Sequence, residues 1–148
     1  MKLCIAPYAG VGPLRFGVGP QDTRAFLGEP RASRAQPGKL RELHDGGIAC
    51  TYEGEPDQLR LVEIGFAKTA GDLEYEGMRL FEVPPTEALR RLLADDPAAA
   101  EVLGSLVFLR LGLTMTGFHD RREESLAVTA FARGRWDAHI PKMKPFRP

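Results

Sequence analysis

Cysteine, tryptophan and histidine are scarce: the 148 residues hold two, one and three of them. Two cysteines are too few for a disulfide framework. Cys4 and Cys50 could pair, but both sit in apolar, strand-like surroundings and no export signal is evident, so buried reduced thiols are expected. His44, His119 and His139 are isolated, with no H-x-x-x-H or H-E-x-x-H pattern and no cysteine at ligand spacing. That excludes the common zinc motifs and leaves no cofactor to expect. Ser33, Ser105 and Ser125 lack the G-x-S-x-G elbow of a serine hydrolase. An excess of one charge sign is missing too: twenty Lys and Arg balance twenty Asp and Glu, so bulk electrostatics draw the chain neither to nucleic acid nor to an anionic membrane. No apolar run approaches membrane-spanning length, and the opening MKLCIAPYAG has too short an apolar run for a signal peptide, so a cytoplasmic protein is expected.

Glycine and proline, by contrast, are plentiful at sixteen and twelve residues, and they punctuate the chain into short elements. The stretch GVGPLRFGV, from Gly10 to Val18, sets three glycines ahead of an expected helix in the manner of a phosphate-binding loop. Neither the G-x-G-x-x-G register nor a following Lys-Ser or Lys-Thr is present, and Pro13 and Pro20 each remove a backbone donor. The stretch is scaffold on this reading, because it recurs: Gly12, Phe16 and Val18 align with Gly77, Phe81 and Val83, 65 residues later. The same offset sets Gly47 to Thr51 on Gly112 to Thr116, and Leu61, Phe66 and Ala67 on Leu126, Phe131 and Ala132. One inserted residue then aligns Thr23, Phe26 and Leu27 with Leu89, Leu92 and Leu93. The chain reads as a single domain of two structural repeats, about residues 10–67 and 75–132, followed by an arm, 133–148. Phe66 and Phe131 should then occupy equivalent environments, as should Phe16 and Phe81.

In each repeat an apolar strand, Leu14 to Val18 or Met78 to Val83, leads into a helix. Pro20 behind Gly19, with Gly28 and Pro30 as stops, predicts a helix over Pro20 to Leu27 whose small apolar face is Phe26 and Leu27. The copy, TEALRRLLADDP, places Leu89, Leu92 and Leu93 on one face and turns Arg90 and Arg91 outward. DPAAAEVLG predicts a further helical turn capped by Asp96, whereas RASRAQPGK reads as loop. Strands follow at Leu40 to Leu43, Ile48 to Tyr52 and Leu59 to Phe66, and again at Leu106 to Arg110, Gly112 to Phe118 and Ser125 to Ala132. The expected fold is α+β: two tandem β-α-β-β-β units whose antiparallel sheets adjoin and are covered on one face by short helices.

The polar hairpins are the candidate partner-binding residues: Tyr52, Glu53, Glu55 and Asp57 in one repeat, His119, Asp120, Arg121 and Arg122 in the other, expected at comparable edges of the sheet. EGEPD has carboxylates for a hard cation, and HDRREES holds a His-Asp pair, but exposed hairpin ends need the same compositions, which is the preferred reading. The arm from Arg133 to Pro148 has five basic residues and one acidic, against a net negative body. With Trp136 and Phe146 interleaved, it could track a nucleic-acid backbone. The preferred alternative lays Trp136, Ile140, Met143 and Phe146 against the body, and Trp136 joins the candidate binding residues.

GVGPLRFGVGPQDTRAFLGEP resembles the opening of small bacterial tandem-repeat proteins that carry G-x-G-P-I/L-x-F/L-G-M-S/T-x-x-E/D-V/A-R-x-x-L-G-x-P. The likeness covers most of residues 8–132, with Val18-Gly19-Pro20 standing where that family has Met-Ser/Thr. Some of these proteins are immunity proteins that neutralise a cognate toxin, and no catalytic residues belong to the motif. The helix-then-strands repeat is also similar in architecture to β-lactamase inhibitory protein and to the outer-membrane assembly lipoprotein BamE, although MKLCIAPYAG does not read as a lipoprotein signal and an envelope role is not expected. The resemblance implies a non-catalytic protein-binding module with a protein toxin as partner. A small nucleic-acid-binding or regulatory protein using the basic arm is the alternative.

Overall fold

The computed structural model describes residues 2–148, and its short strands and two α-helices follow the glycine and proline punctuation. In chain order the elements are β1 (Leu3–Ala6), β2 (Gly10–Val11), β3 (Leu14–Arg15), α1 (Pro20–Leu27), β4 (Ala32–Gln36), β5 (Lys39–His44), β6 (Ile48–Glu53) and β7 (Arg60–Ala67). They continue with β8 (Leu73–Tyr75), β9 (Met78–Arg79), α2 (Pro85–Asp95), β10 (Ala100–Val102), β11 (Ser105–Phe108), β12 (Leu113–Thr116), β13 (Ala127–Phe131) and β14 (Lys144–Pro145). The fold is α+β.

The stretch GVGPLRFGV is an antiparallel hairpin, β2 against β3. A Cβ on Gly10 would stand 2.0 Å from the Leu14 carbonyl oxygen, and one on Gly12 2.2 Å from that of Lys2, so glycine here lets backbones cross closely. β1 joins this hairpin to β8 and β9 by a parallel pairing, giving a five-stranded sheet in the order β3-β2-β1-β8-β9. The other nine strands form one continuous sheet, β14-β10-β11-β12-β13-β7-β6-β5-β4. Two four-stranded meanders, β4 to β7 and β10 to β13, meet along the antiparallel pair β7 and β13. Each helix is thus followed by four strands rather than the expected three, and the sheets of the two units adjoin, as expected, to the point of forming one continuous sheet.

The two extra strands come from segments misread in the sequence. RASRAQPGK supplies β4, paired with β5 from Ala32 opposite Leu43 to Gln36 opposite Lys39. DPAAAEVLG does not continue the helix. The Asp96 carboxylate accepts the Ala98 N–H at 3.1 Å and the Arg110 N–H at 3.0 Å, a turn that spends the cap on the loop and releases the chain as β10. Helix α1 has the expected bounds, with Gly19 at its N-cap and Gly28 at φ 79° after its last turn. Its apolar face is not Phe26, which is 56% exposed. Instead Thr23 is buried and hydrogen-bonds the Tyr52 hydroxyl, while Arg24 forms an ion pair with Glu42. Helix α2 buries Ala88 and Leu92, and Arg91 pairs with Glu76 and Asp95 rather than pointing free into solvent.

One face of the nine-stranded sheet packs Cys50, Ile64, Phe66, Leu113, Met115 and Val128 against the helices and the five-stranded sheet, forming the main core. Phe16 and Phe81, each just beyond a short hairpin, pack on this core. Phe131 does not. Thr51 lies opposite Glu63 but Tyr52 opposite Leu61, so Val62 is a β-bulge in β7, whereas β12 and β13 pair without a shift. Beyond the bulge the matching residue lies 64 positions on, and Phe66 corresponds to Ala130, which shares its face of the sheet. Phe131, opposite Glu63, points to the other face and joins Val102 and Val107 in a second cluster beneath Tyr8 and Trp136. The expected equivalence of Phe66 and Phe131 fails because one extra residue turns alternate side chains over. With the shift of 64 the central register matches itself: Ile64 opposite Ala130 maps onto Val128 opposite Phe66, and the pair Gly65 and Thr129 maps onto itself.

The basic arm docks on the body. Trp136 and Met143 flank the second cluster, Phe146 packs on the main core, and β14 pairs with β10; Ile140, expected to pack, is 45% exposed. Cys4 is likewise exposed rather than buried, while Cys50 is buried and its thiol is pushed up to about 12 by desolvation. At neutral pH a disulfide-exchange reagent is expected to titrate one thiol in the folded protein, Cys4, and both in denaturant. Reaction of both in the native state would contradict the packing around β6.

Candidate partner-binding surface

The structure separates the expected binding residues. The β6–β7 hairpin, with Glu55 and Asp57 exposed, lies at the start of β7. The β12–β13 hairpin, with Asp120, Arg121 and Arg122 exposed, lies at the start of β13, which pairs with the end of β7. Because these strands are antiparallel, the two hairpins sit at opposite ends of the sheet and not at comparable edges of one surface. Tyr52 drops out: it is fully buried on the core face, its hydroxyl held by Thr23. The His119 side chain is largely buried, its ring 5.7 Å from Phe146 and its Nε2 3.9 Å from a Glu101 carboxylate oxygen, while Asp120 turns to Arg122 at 3.3 Å. The adjacent His119 and Asp120 thus face different charged neighbours, and no hydrogen bond joins their side chains among the described residues.

Glu53 and Trp136 instead mark the border of another surface. On the sheet face away from the helices, the arm and Tyr8 cover the second meander. Trp136 lies 5.9 Å from Phe131 and donates its indole N–H to Glu63 at 3.3 Å; Arg135 bridges Glu53 at 3.2 Å and Glu63 at 3.9 Å; the Arg133 guanidinium lies 4.3 Å over the Tyr8 ring. Beyond this border the first meander is uncovered. Two adjoining concavities of about 300 and 240 Å³ open there, and Arg41, Ala49, Gly65 and Thr129 line both. Gly65 has no positive φ, and a Cβ on it would meet its nearest neighbours at 3.9 Å. Backbone geometry does not demand glycine there; its effect is a low floor at the centre of the sheet. Arg31 and Leu43 wall one concavity and Lys39 the other. Sequence reasoning missed this surface because small residues on alternate strand positions form no motif. The available signal was the basic run from Arg31 to Arg41, which contains no acidic residue.

Behind this face, the buried charges are structural. Glu42 is fully buried and accepts Arg24 Nε at 3.0 Å, and His44 Nε2 stands 3.7 Å from its other oxygen. Both His44 ring nitrogens are buried without a hydrogen-bond partner among the described residues, and desolvation lowers the ring's affinity for a proton. The neutral form is the folded one. Its stabilising contribution is complete above the unfolded value of 6.5 and is lost as pH falls through the lower folded value. The melting temperature is expected to fall from pH 7.5 to 5.5, and less steeply in His44→Phe; an unchanged pH dependence in that variant would contradict this account of the ring.

No protein-family model, curated protein or solved structure matches this chain.

Proposed function

We propose that this chain is a non-catalytic protein-binding module, an immunity protein that neutralises a cognate bacterial toxin by direct binding in the cytoplasm. The observation that carries the reading is the uncovered first meander: a firm β-sheet floor of Ala49, Gly65 and Thr129 bordered by basic side chains. A sheet held on its other face by the main core changes shape little on association, so ordering costs at the interface are small. We further propose that the chain arose from two tandem copies, a reading supported by the self-matching register of β7 and β13. Among the described residues no helix is long and apolar enough to cross a membrane. The nucleic-acid alternative relied on a free basic arm, and the engagement of Arg133, Arg135 and Trp136 with the body weighs against it.

The test is co-expression with the product of the adjoining gene, followed by size-exclusion chromatography. A stoichiometric complex stable at physiological salt is expected. Elution of this chain alone, or with bound nucleic acid instead, would overturn the reading.

A further inference from the structure

We propose that the free edge of β4, with the arginines beside it, binds an extended acidic segment of a partner protein as an added strand. This rests on the protein-binding reading and specifies how the partner is held. β4 is hydrogen-bonded on one side only, by β5, and all five of its residues are exposed. Its outer N–H and C=O groups are a template for a polypeptide backbone, and Ala32, Ser33 and Ala35 present little bulk to an incoming strand.

Charge selects the occupant. Arg34 lies directly opposite Arg41, a like-charge cross-strand pair that works against folding. None of Arg31, Arg34, Lys39 and Arg41 makes an ion pair among the described residues, although Arg24 and Arg135 close by each pair with carboxylates. Two same-face arginines side by side without counter-charge leave a position for carboxylates. On an added strand the residues opposite Ala32, Arg34 and Gln36 would share the open face with Arg41, within ion-pair reach of both arginines. The segment that fits therefore carries Asp or Glu at alternate positions. A second copy of this chain fits poorly, because two-fold pairing about the centre of β4 sets Arg34 against Arg34 of the other copy. Single-stranded nucleic acid fits poorly as well: the two ring-bearing residues along the uncovered concavities, His44 and Phe66, are buried and offer no exposed ring for base stacking, and a strand edge has no complement in a sugar-phosphate backbone.

The test uses the full chain and a blocked peptide of about ten residues alternating glutamate with threonine and valine, a typical length for one strand and its flanks. Controls are the same composition with a central proline, the lysine counterpart and oligothymidylate. The glutamate peptide is expected to bind, to slow amide hydrogen exchange across Ala32–Gln36, and to lose about tenfold or more in affinity against Arg34→Glu with Arg41→Glu. Arg34→Ser should weaken binding while melting no lower than the wild type, since it removes a like-charge contact; that combination separates a binding role from a structural one. Equal binding of the proline peptide, unchanged exchange in β4, or preferential binding of oligothymidylate would overturn the proposal. If the complex with the adjoining gene product forms and is indifferent to the double arginine variant, the β4 assignment alone fails. If no such complex forms, the immunity reading fails whatever the peptide does.

Discussion

Phe66→Ala is expected to lower the unfolding free energy by about 3 to 5 kcal/mol, because the ring is almost wholly enclosed in the main core between the sheet and the helices. Phe131→Ala should cost a comparable amount, also about 3 to 5 kcal/mol, but through the separate cluster on the other face. The two variants are distinguishable in the native state. Phe131 lies 5.9 Å from Trp136, so its loss should shift the tryptophan emission of the folded protein and loosen the arm, whereas Phe66→Ala should leave both intact. Urea titration with fluorescence detection checks the magnitudes and the contrast. A cost under about 1 kcal/mol at Phe66 would mean that the ring is not packed as described.

Arg24→Met is the second large effect. It strands the carboxylate of Glu42, which is fully buried and bound by the Arg24 guanidinium, and a loss of about 3 kcal/mol is expected. That lies at the low end for breaking a buried pair, since Arg24 keeps 33% of its side chain in water and its charge is partly screened. Adding Glu42→Gln should recover much of the loss, because the buried group left behind is then neutral. A double variant no more stable than Arg24→Met would show that packing of the arginine stem, not the orphaned charge, dominates.

Local chemistry made some of the fold legible and hid the rest. Helix α1 could be bounded to the residue because Gly19, Pro20, Gly28 and Pro30 act within one turn of where they stand. β4 was invisible because an edge strand with every residue exposed has no alternation to read. The bulge at Val62 did leave a trace: Leu61 and Ile64 are three apart where a regular strand has two, and that change of phase signals the extra residue which moves Phe131 to the opposite face. Tyr52 looked like a surface anchor because it adjoins the EGEPD turn, yet it is the last core-facing residue of β6 and its partner Thr23 is distant in sequence. The buried Arg24 and Glu42 pair and the floor of Ala49, Gly65 and Thr129 depend on strand register, which only the assembled sheet supplies.

The most direct measurement is growth of bacteria that express the product of the adjoining gene, with and without this chain. The account predicts arrest by that product alone and growth restored when this chain is co-expressed at matching levels. Arrest that persists while the folded chain is present in excess would contradict it.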